Sequence, residues 1–162
     1  MQEDSLEVLI GPLLRDAGLK LALAESCTGG LIGHRVTNVA GSSDYYLGSV
    51  TAYAYEAKER LLGVSHETLA HYGAVSSETA LEMAKGIRRA LDADIGLSVT
   101  GIAGPGGGMP DKPVGLVWIG FSTPRGDWAY KFLWKGNRVE NKSDSAQAAL
   151  QIIYDYLIGK LS

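Results

Sequence analysis

The sequence predicts an α/β fold, a mixed sheet with helices on both faces, on three observations. Helical and strand patterns follow one another in the order α, β, α, β, helices, β, β, β, α. Two short apolar runs, at 19–25 and 94–104, stop abruptly at glycines and hydroxyl side chains, as buried strands do where they end in turns. The last three strand candidates are joined by short connections, which calls for a mixed sheet.

Taken in order, residues 5–17 carry Leu6, Leu9, Ile10, Leu13 and Leu14 at helical spacing; Pro12 marks an early start or a kink, and Gly18 ends the element. The strand LKLALAE, 19–25, leads through Gly29 and Gly30 into a helix over 28–39, and AGSSD, 40–44, is a loop. Aromatic and β-branched residues make YLGSVTAYA, 46–54, a second strand, and Gly63 stops the short helix after it. Ser65 caps another short helix. Ser76 or Ser77 caps a longer one whose Ala80, Met83, Ala84, Ile87 and Leu91 share a face. A third strand, 94–104, runs into the irregular loop GPGGGMPDKP, and VGLVWIGFST, 114–123, is a fourth. Trp128, Tyr130, Phe132 and Trp134 alternate with polar or small partners, Leu133 excepted, in a half-buried or edge strand. The closing amphipathic helix over 143–161 is capped by Ser143 or Ser145.

The 162 residues suit one domain, 1–162, with a proper core, and 46% hydrophobic with 20% charged residues is ordinary globular composition. A net charge of -3 without any long Lys/Arg run lacks the footprint of a nucleic-acid binder. The acidic, interrupted N-terminus is no secretory signal, and no apolar stretch is long enough to span a membrane. Cys27 is the only cysteine, so an internal disulfide is impossible and a reducing cytoplasm is the expected location.

Three stretches bring hydroxyls and glycines together: Glu25 to Gly30, Gly41-Ser42-Ser43, and Thr100 to Gly104. Glycine lets a backbone approach a ligand and leaves N–H groups pointing outward, which suits a phosphate or an oxyanion. The Walker, dinucleotide-fold and G-x-S-x-G patterns are absent, and His34, His66 and His71 lack metal-ligand spacing, so no metal site is expected. A serine hydrolase without a suitable histidine needs another base, and lysine serves once its pKa has fallen toward neutrality. Lys58 comes after an apolar strand at the start of a helix, where desolvation and the helix N-terminus disfavour its charge. Tyr53, five residues earlier, is placed to hydrogen-bond the amine or to pass a proton to a leaving group.

The motifs AESCTGG, GSSDYYLGSVTAYAYEAKERLLGV, HYGAVS, SVTGIAGPGGGMPDKPVGLVW and GNR, in that order across residues 5–158, resemble the C-terminal domain of the competence-damage protein CinA. That domain also occurs alone as nicotinamide mononucleotide amidase. The resemblance implies a three-layer α/β/α fold with a mixed, mostly parallel five-stranded sheet. It implies hydrolysis of the carboxamide of nicotinamide mononucleotide to nicotinic acid mononucleotide and ammonia, with no cofactor and no metal, by a serine and lysine pair. Carried onto this chain, it makes Ser43 the nucleophile, Lys58 its base and Tyr53 an assisting proton donor. Ser26 and Thr100 surround the amide; Thr28, Gly29, Gly30, Gly101 and Gly104 surround the substrate and its phosphate; Arg138 is the cation for that phosphate. Lys142 stands near a position where relatives often carry a second arginine.

Ser26 is the closest rival nucleophile, since it too sits beside glycines after a strand, and Cys27 is another. The contrasting reading is a nucleotide-binding regulatory module of the same fold without catalysis. An exposed face on the Trp128 to Trp134 strand makes a homodimer a reasonable expectation; nucleic acid and membrane are not expected partners.

Overall fold

The computed structural model describes residues 2–161. Its five strands are β1 (Leu21–Glu25), β2 (Tyr46–Thr51), β3 (Ile95–Gly101), β4 (Leu116–Thr123) and β5 (Gly126–Leu133). They form one sheet in the order β2-β1-β3-β4-β5. The β2–β1 and β1–β3 pairs are parallel and the β3–β4 and β4–β5 pairs antiparallel, so β4 alone runs against the rest. The helices are α1 (Leu6–Ala17), α2 (Leu31–Thr37), α3 (Tyr55–Leu62), α4 (His66–Tyr72), α5 (Ser77–Ala90) and α6 (Arg138–Leu157). This is a three-layer α/β/α fold with a mixed, mostly parallel sheet.

Alternation along β1 divides the interior in two. Leu21 and Leu23 join Ile10, Leu14, Ile32 and Ile153 in a core shared with α1, α2 and α6. Ala22 and Ala24 face the other way, toward Leu62, Leu69, Met83 and Ile87 of α3, α4 and α5. The small residues on that second face let α5 lie close to the sheet, and Ser98 Oγ donates to the Ala80 carbonyl at 2.6 Å. Close approach recurs between α3 and α5: a Cβ added at Gly86 would stand 1.9 Å from the Leu62 carbonyl oxygen. Gly86→Ala should therefore destabilise the fold by about 3 kcal/mol, because backbone must move. Urea unfolding checks this, and an unchanged midpoint would show that α3 slides away at no cost.

The element order agrees with the sequence reading, and Ser65 and Ser76 cap α4 and α5 by accepting from the Thr68 and Thr79 N–H groups, both at 3.1 Å. Leu91 lies just past α5 and is exposed. The last helix departs more: it begins at Arg138, and its cap is Asn137, neither Ser143 nor Ser145. Asn137 and Glu140 form a reciprocal capping box, an Asn-x-x-Glu signal visible in the sequence. Ser145 lies inside the helix, where its Oγ donates to the Asn141 carbonyl and accepts from Trp134 Nε1. The earlier start puts Arg138 and Lys142 on the first turns of a helix. The aromatic side of β5 packs on the chain's own core.

Candidate active site

The parallel strands β1, β2 and β3 end at one edge of the sheet, where Glu25 pairs in register with Thr51 and with Val99. Ligand sites of open α/β sheets form at such carboxyl ends. Ser26 comes immediately after β1, and its N–H donates to the Val99 carbonyl at 2.9 Å, which pins it beside β3. The chain then turns through Cys27 to Gly30; Gly30 has φ +104°, a left-handed conformation that suits glycine.

The turn is held by Glu25, a fully buried carboxylate that turns toward the start of α2. Its Oε1 accepts from the N–H groups of Gly30 at 3.2 Å and Ile32 at 3.0 Å, and its Oε2 from Gly33 at 3.0 Å. A carboxylate at the positive end of α2 satisfies donors that the helix leaves free. Glu25→Ala should cost about 2–4 kcal/mol, through the lost charge-assisted bonds and the buried N–H groups left without acceptors. Thermal unfolding measures this; a melting temperature equal to that of the parent protein would refute the capping role.

Lys58 lies in the first turns of α3, and its side chain folds back to the end of β2. The ammonium donates to the Ala52 carbonyl at 2.9 Å, the Tyr53 carbonyl at 3.1 Å and Ser26 Oγ at 3.0 Å. It is 1% exposed, and among the described residues no carboxylate pairs with it. Burial lowers its pKa from the ordinary lysine value, the neighbouring Cys27 opposing the shift. Three acceptors favour the ammonium form, yet the absent counter-ion leaves desolvation dominant. Once Lys58 loses its proton, the Ser26 hydroxyl can donate to the amine, the geometry in which a lysine activates a serine.

Ser26 and Lys58 line a cavity of about 180 Å³ together with Tyr53, Thr100, Gly101 and Arg138. Thr100 Oγ1 donates to the Ala74 carbonyl at 2.8 Å and ties the α4–α5 connection to β3. Arg138 reaches over the opening, donating from one terminal nitrogen to the Gly104 carbonyl at 2.7 Å and from the other to the Tyr53 hydroxyl at 3.0 Å. The Tyr53 contact differs from expectation: its backbone carbonyl meets Lys58, whereas its phenol meets Arg138. Thr28, Gly29, Gly30 and Gly104 are not among the residues that line this cavity. Thr28 Oγ1 is buried without a hydrogen-bond partner, and Lys142 Nζ lies over Gly29, 3.8 Å from where a Cβ would be.

Ser43 is elsewhere, and the expected Ser43–Lys58 pair does not form. It lies in a 3₁₀ turn, Ser42–Asp44, before β2, whereas Lys58 returns to the point where β2 ends. The six residues of β2 separate the two, roughly 20 Å of strand, and Ser43 is exposed to solvent. Cys27 does line the cavity, but burial pushes its thiol up to about 12, which keeps it protonated at neutral pH.

Sequence reasoning missed Ala74, Val75 and Ala103 in the cavity wall; small apolar residues in loops carry no chemical signal. It also missed Asn141, buried in α6, whose Nδ2 donates to the Ala103 carbonyl and whose Oδ1 accepts from the Gly136 N–H, bracing the wall against the helix start. A polar residue among the apolar positions of that helix was the available clue.

A three-layer α/β/α domain with a buried serine–lysine pair at the carboxyl edge of its sheet is thus the class that fold and site define. The CinA C-terminal domain model matches residues 3–157, and the chain belongs to that family. A CinA-like protein of Salinibacter ruber is 51% identical over 91% of this chain. The chain spans only 38%, 37% and 36% of the length of three curated relatives. The crystal structure of the competence/damage inducible protein CihA from Agrobacterium tumefaciens superposes with a TM-score of 0.91 at 39% identity, covering 94% of this chain and 93% of that one. A CinA superfamily protein from Klebsiella pneumoniae gives 0.91 at 30% identity, covering 95% and 96%.

Proposed function

We propose that the domain is an amidohydrolase that converts nicotinamide mononucleotide to nicotinic acid mononucleotide and ammonia, with Ser26 as nucleophile and Lys58 as its base. The observation that carries this reading is the 3.0 Å contact between Ser26 Oγ and a buried lysine that lacks a counter-ion. The substrate comes from the family resemblance, and Arg138 at the opening offers a guanidinium for its phosphate.

In this mechanism neutral Lys58 takes the Ser26 proton while Oγ bonds to the carboxamide carbon. The N–H group of Cys27, a residue that lines the cavity and whose N–H has no backbone acceptor among the described residues, receives the oxyanion. The Lys58 ammonium then gives its proton to the departing nitrogen, the C–N bond breaks and ammonia leaves an acyl ester on Ser26. Water, deprotonated by the same amine, attacks the ester; the C–O bond to Ser26 breaks and the serine recovers its proton from Lys58. Tyr53 holds the Arg138 guanidinium at the opening.

The test is ammonia release from nicotinamide mononucleotide without added metal, with mass spectrometry of the acid-quenched intact protein. Ammonia together with an acyl adduct on the Ser26 peptide is the expected result. Binding without ammonia would make the domain a nucleotide-binding module instead, and turnover with an adduct elsewhere would move the nucleophile.

A further inference from the structure

Away from the serine–lysine site, a cavity of about 630 Å³ lies between the C-terminal half of α5 and the β4–β5 hairpin. Its Ser122 pairs in register with Gly96 near the start of β3, whereas Gly101, at the end of β3, lines the serine–lysine cavity. Roughly 17 Å of strand therefore separates the two. Lys85, Arg88 and Arg89 stand at i, i+3 and i+4, so they share one face of α5, and all three line the cavity. Gly96 lets that helix come close, since a Cβ there would stand 2.3 Å from the Ala84 carbonyl oxygen and 2.8 Å from Arg88 Cβ. Residues directly opposite each other in an antiparallel pair point to the same face, so the Ser122 side chain also points toward α5.

The protein leaves these donors largely unused. In a chain whose net charge is -3, Lys85, Arg88 and Arg89 outnumber the two carboxylates that border the same cavity, Asp92 and Asp127. Lys85 meets Asp127 at 3.5 Å, a loose and partly exposed pair. Arg88 gives its Nε to the Ala93 carbonyl at 3.3 Å, and Arg89 places a terminal nitrogen beside Gly63 at the end of α3. Among the described residues no carboxylate pairs with either arginine. Thr123 spends its hydroxyl inside the hairpin, donating to the Gly126 carbonyl and accepting from the Arg125 N–H. Ser122 is only 1% exposed, and its hydroxyl has no partner among the described residues. A buried hydroxyl on a cavity wall asks for a partner inside the cavity.

Among the described residues no large apolar or aromatic side chain lines this cavity apart from Pro124, so a ring or an acyl chain has little to rest on. A carboxylate offers two coplanar oxygens, whereas two guanidinium forks, an ammonium and a hydroxyl present donors in several planes. A phosphoryl group offers three oxygens in a pyramid, and a second one linked to it reaches the next cation. We propose that the cavity binds a compact anion carrying two linked phosphoryl groups, held by Arg88, Arg89 and the Ser122 hydroxyl with Lys85 beside them. This site is independent of the amidase chemistry.

The test is calorimetric titration of the intact chain with inorganic pyrophosphate, beside Arg88→Gln, Arg89→Gln, Ser122→Ala and Arg60→Gln. Arg89 and Arg60 are exposed on helices, so folding is not at stake for them, and Arg60→Gln removes the same charge from α3, outside the cavity. Ser122→Ala leaves every charge in place. The expected result is saturable binding at least about tenfold tighter than that of inorganic phosphate. It should weaken at least about tenfold in each of Arg88→Gln and Arg89→Gln, at least about threefold in Ser122→Ala, and less than about twofold in Arg60→Gln. No saturable binding, equal weakening in Arg60→Gln, full binding in Ser122→Ala, or phosphate bound as tightly as pyrophosphate would each overturn the site. Thermal unfolding gives a second readout: pyrophosphate should raise the melting temperature of the parent and of Arg60→Gln more than that of Arg89→Gln, and an equal rise in all three would overturn it too.

Discussion

On the proposed amidase reading, Ser26→Ala should lower kcat/KM for nicotinamide mononucleotide at least ~1,000-fold with substrate binding largely kept, and Ser43→Ala should leave it within about twofold. The contrast comes from position: Ser26 touches the Lys58 amine at 3.0 Å, while Ser43 is a solvent-exposed turn residue at the far edge of the sheet. Steady-state kinetics of the two variants measures it. Equal losses would mean that Ser43 acts through the fold, and a loss confined to Ser43→Ala would overturn the assignment of Ser26. Cys27→Ala belongs in the same series, because the protonated thiol predicts that no nucleophile is lost.

Lys58→Met should abolish turnover and raise stability together. A buried ammonium without a counter-ion is destabilising, and replacing such a charge by an apolar side chain of similar length gains roughly 1–3 kcal/mol. The sign of the pH dependence is set by the lowered pKa of Lys58. Between its folded value and the ordinary lysine value the unfolded chain binds the extra proton, so stability of the parent protein rises with pH across that window and falls as pH drops through it. On the proposed mechanism, activity should rise with pH through the same folded value, since only the neutral amine can accept the Ser26 proton. Lys58→Met should remove the lysine contribution to the stability slope. Denaturant melts of both proteins at several pH values measure this; parallel pH profiles would show that Lys58 ionises normally.

Much of the fold was legible because its signals are local. Alternating Leu and Ala in β1, glycine stops after α1 and α3, and serine caps on α4 and α5 each report on a few adjacent residues. The start of α6 was legible too, in Asn137 and Glu140, but serines further on offered a competing cap. Lys58, Tyr53, Thr100 and Arg138 were picked out from sequence, and all four border the cavity. Ser43 was misplaced because glycine–hydroxyl turns look alike wherever they fall. The turn of Ser26 comes after β1, whereas the turn of Ser43 comes before β2. For two parallel strands, the turn leaving one and the turn entering its neighbour lie at opposite edges of the sheet, so the chain order of strand and turn held the answer. The destination of the Glu25 carboxylate was beyond local pattern, since it depends on three N–H groups five to eight residues ahead.

That carboxylate has a second effect. By turning toward the backbone of α2, it is kept from serving as a counter-ion to Lys58, though both residues adjoin the same serine. The helix start acts as an electrostatic insulator: it absorbs a neighbouring charge that would otherwise hold the proposed base in its protonated form. A substitution that loosened the turn, with every catalytic atom intact, could silence the site by letting acid and base neutralise each other across Ser26.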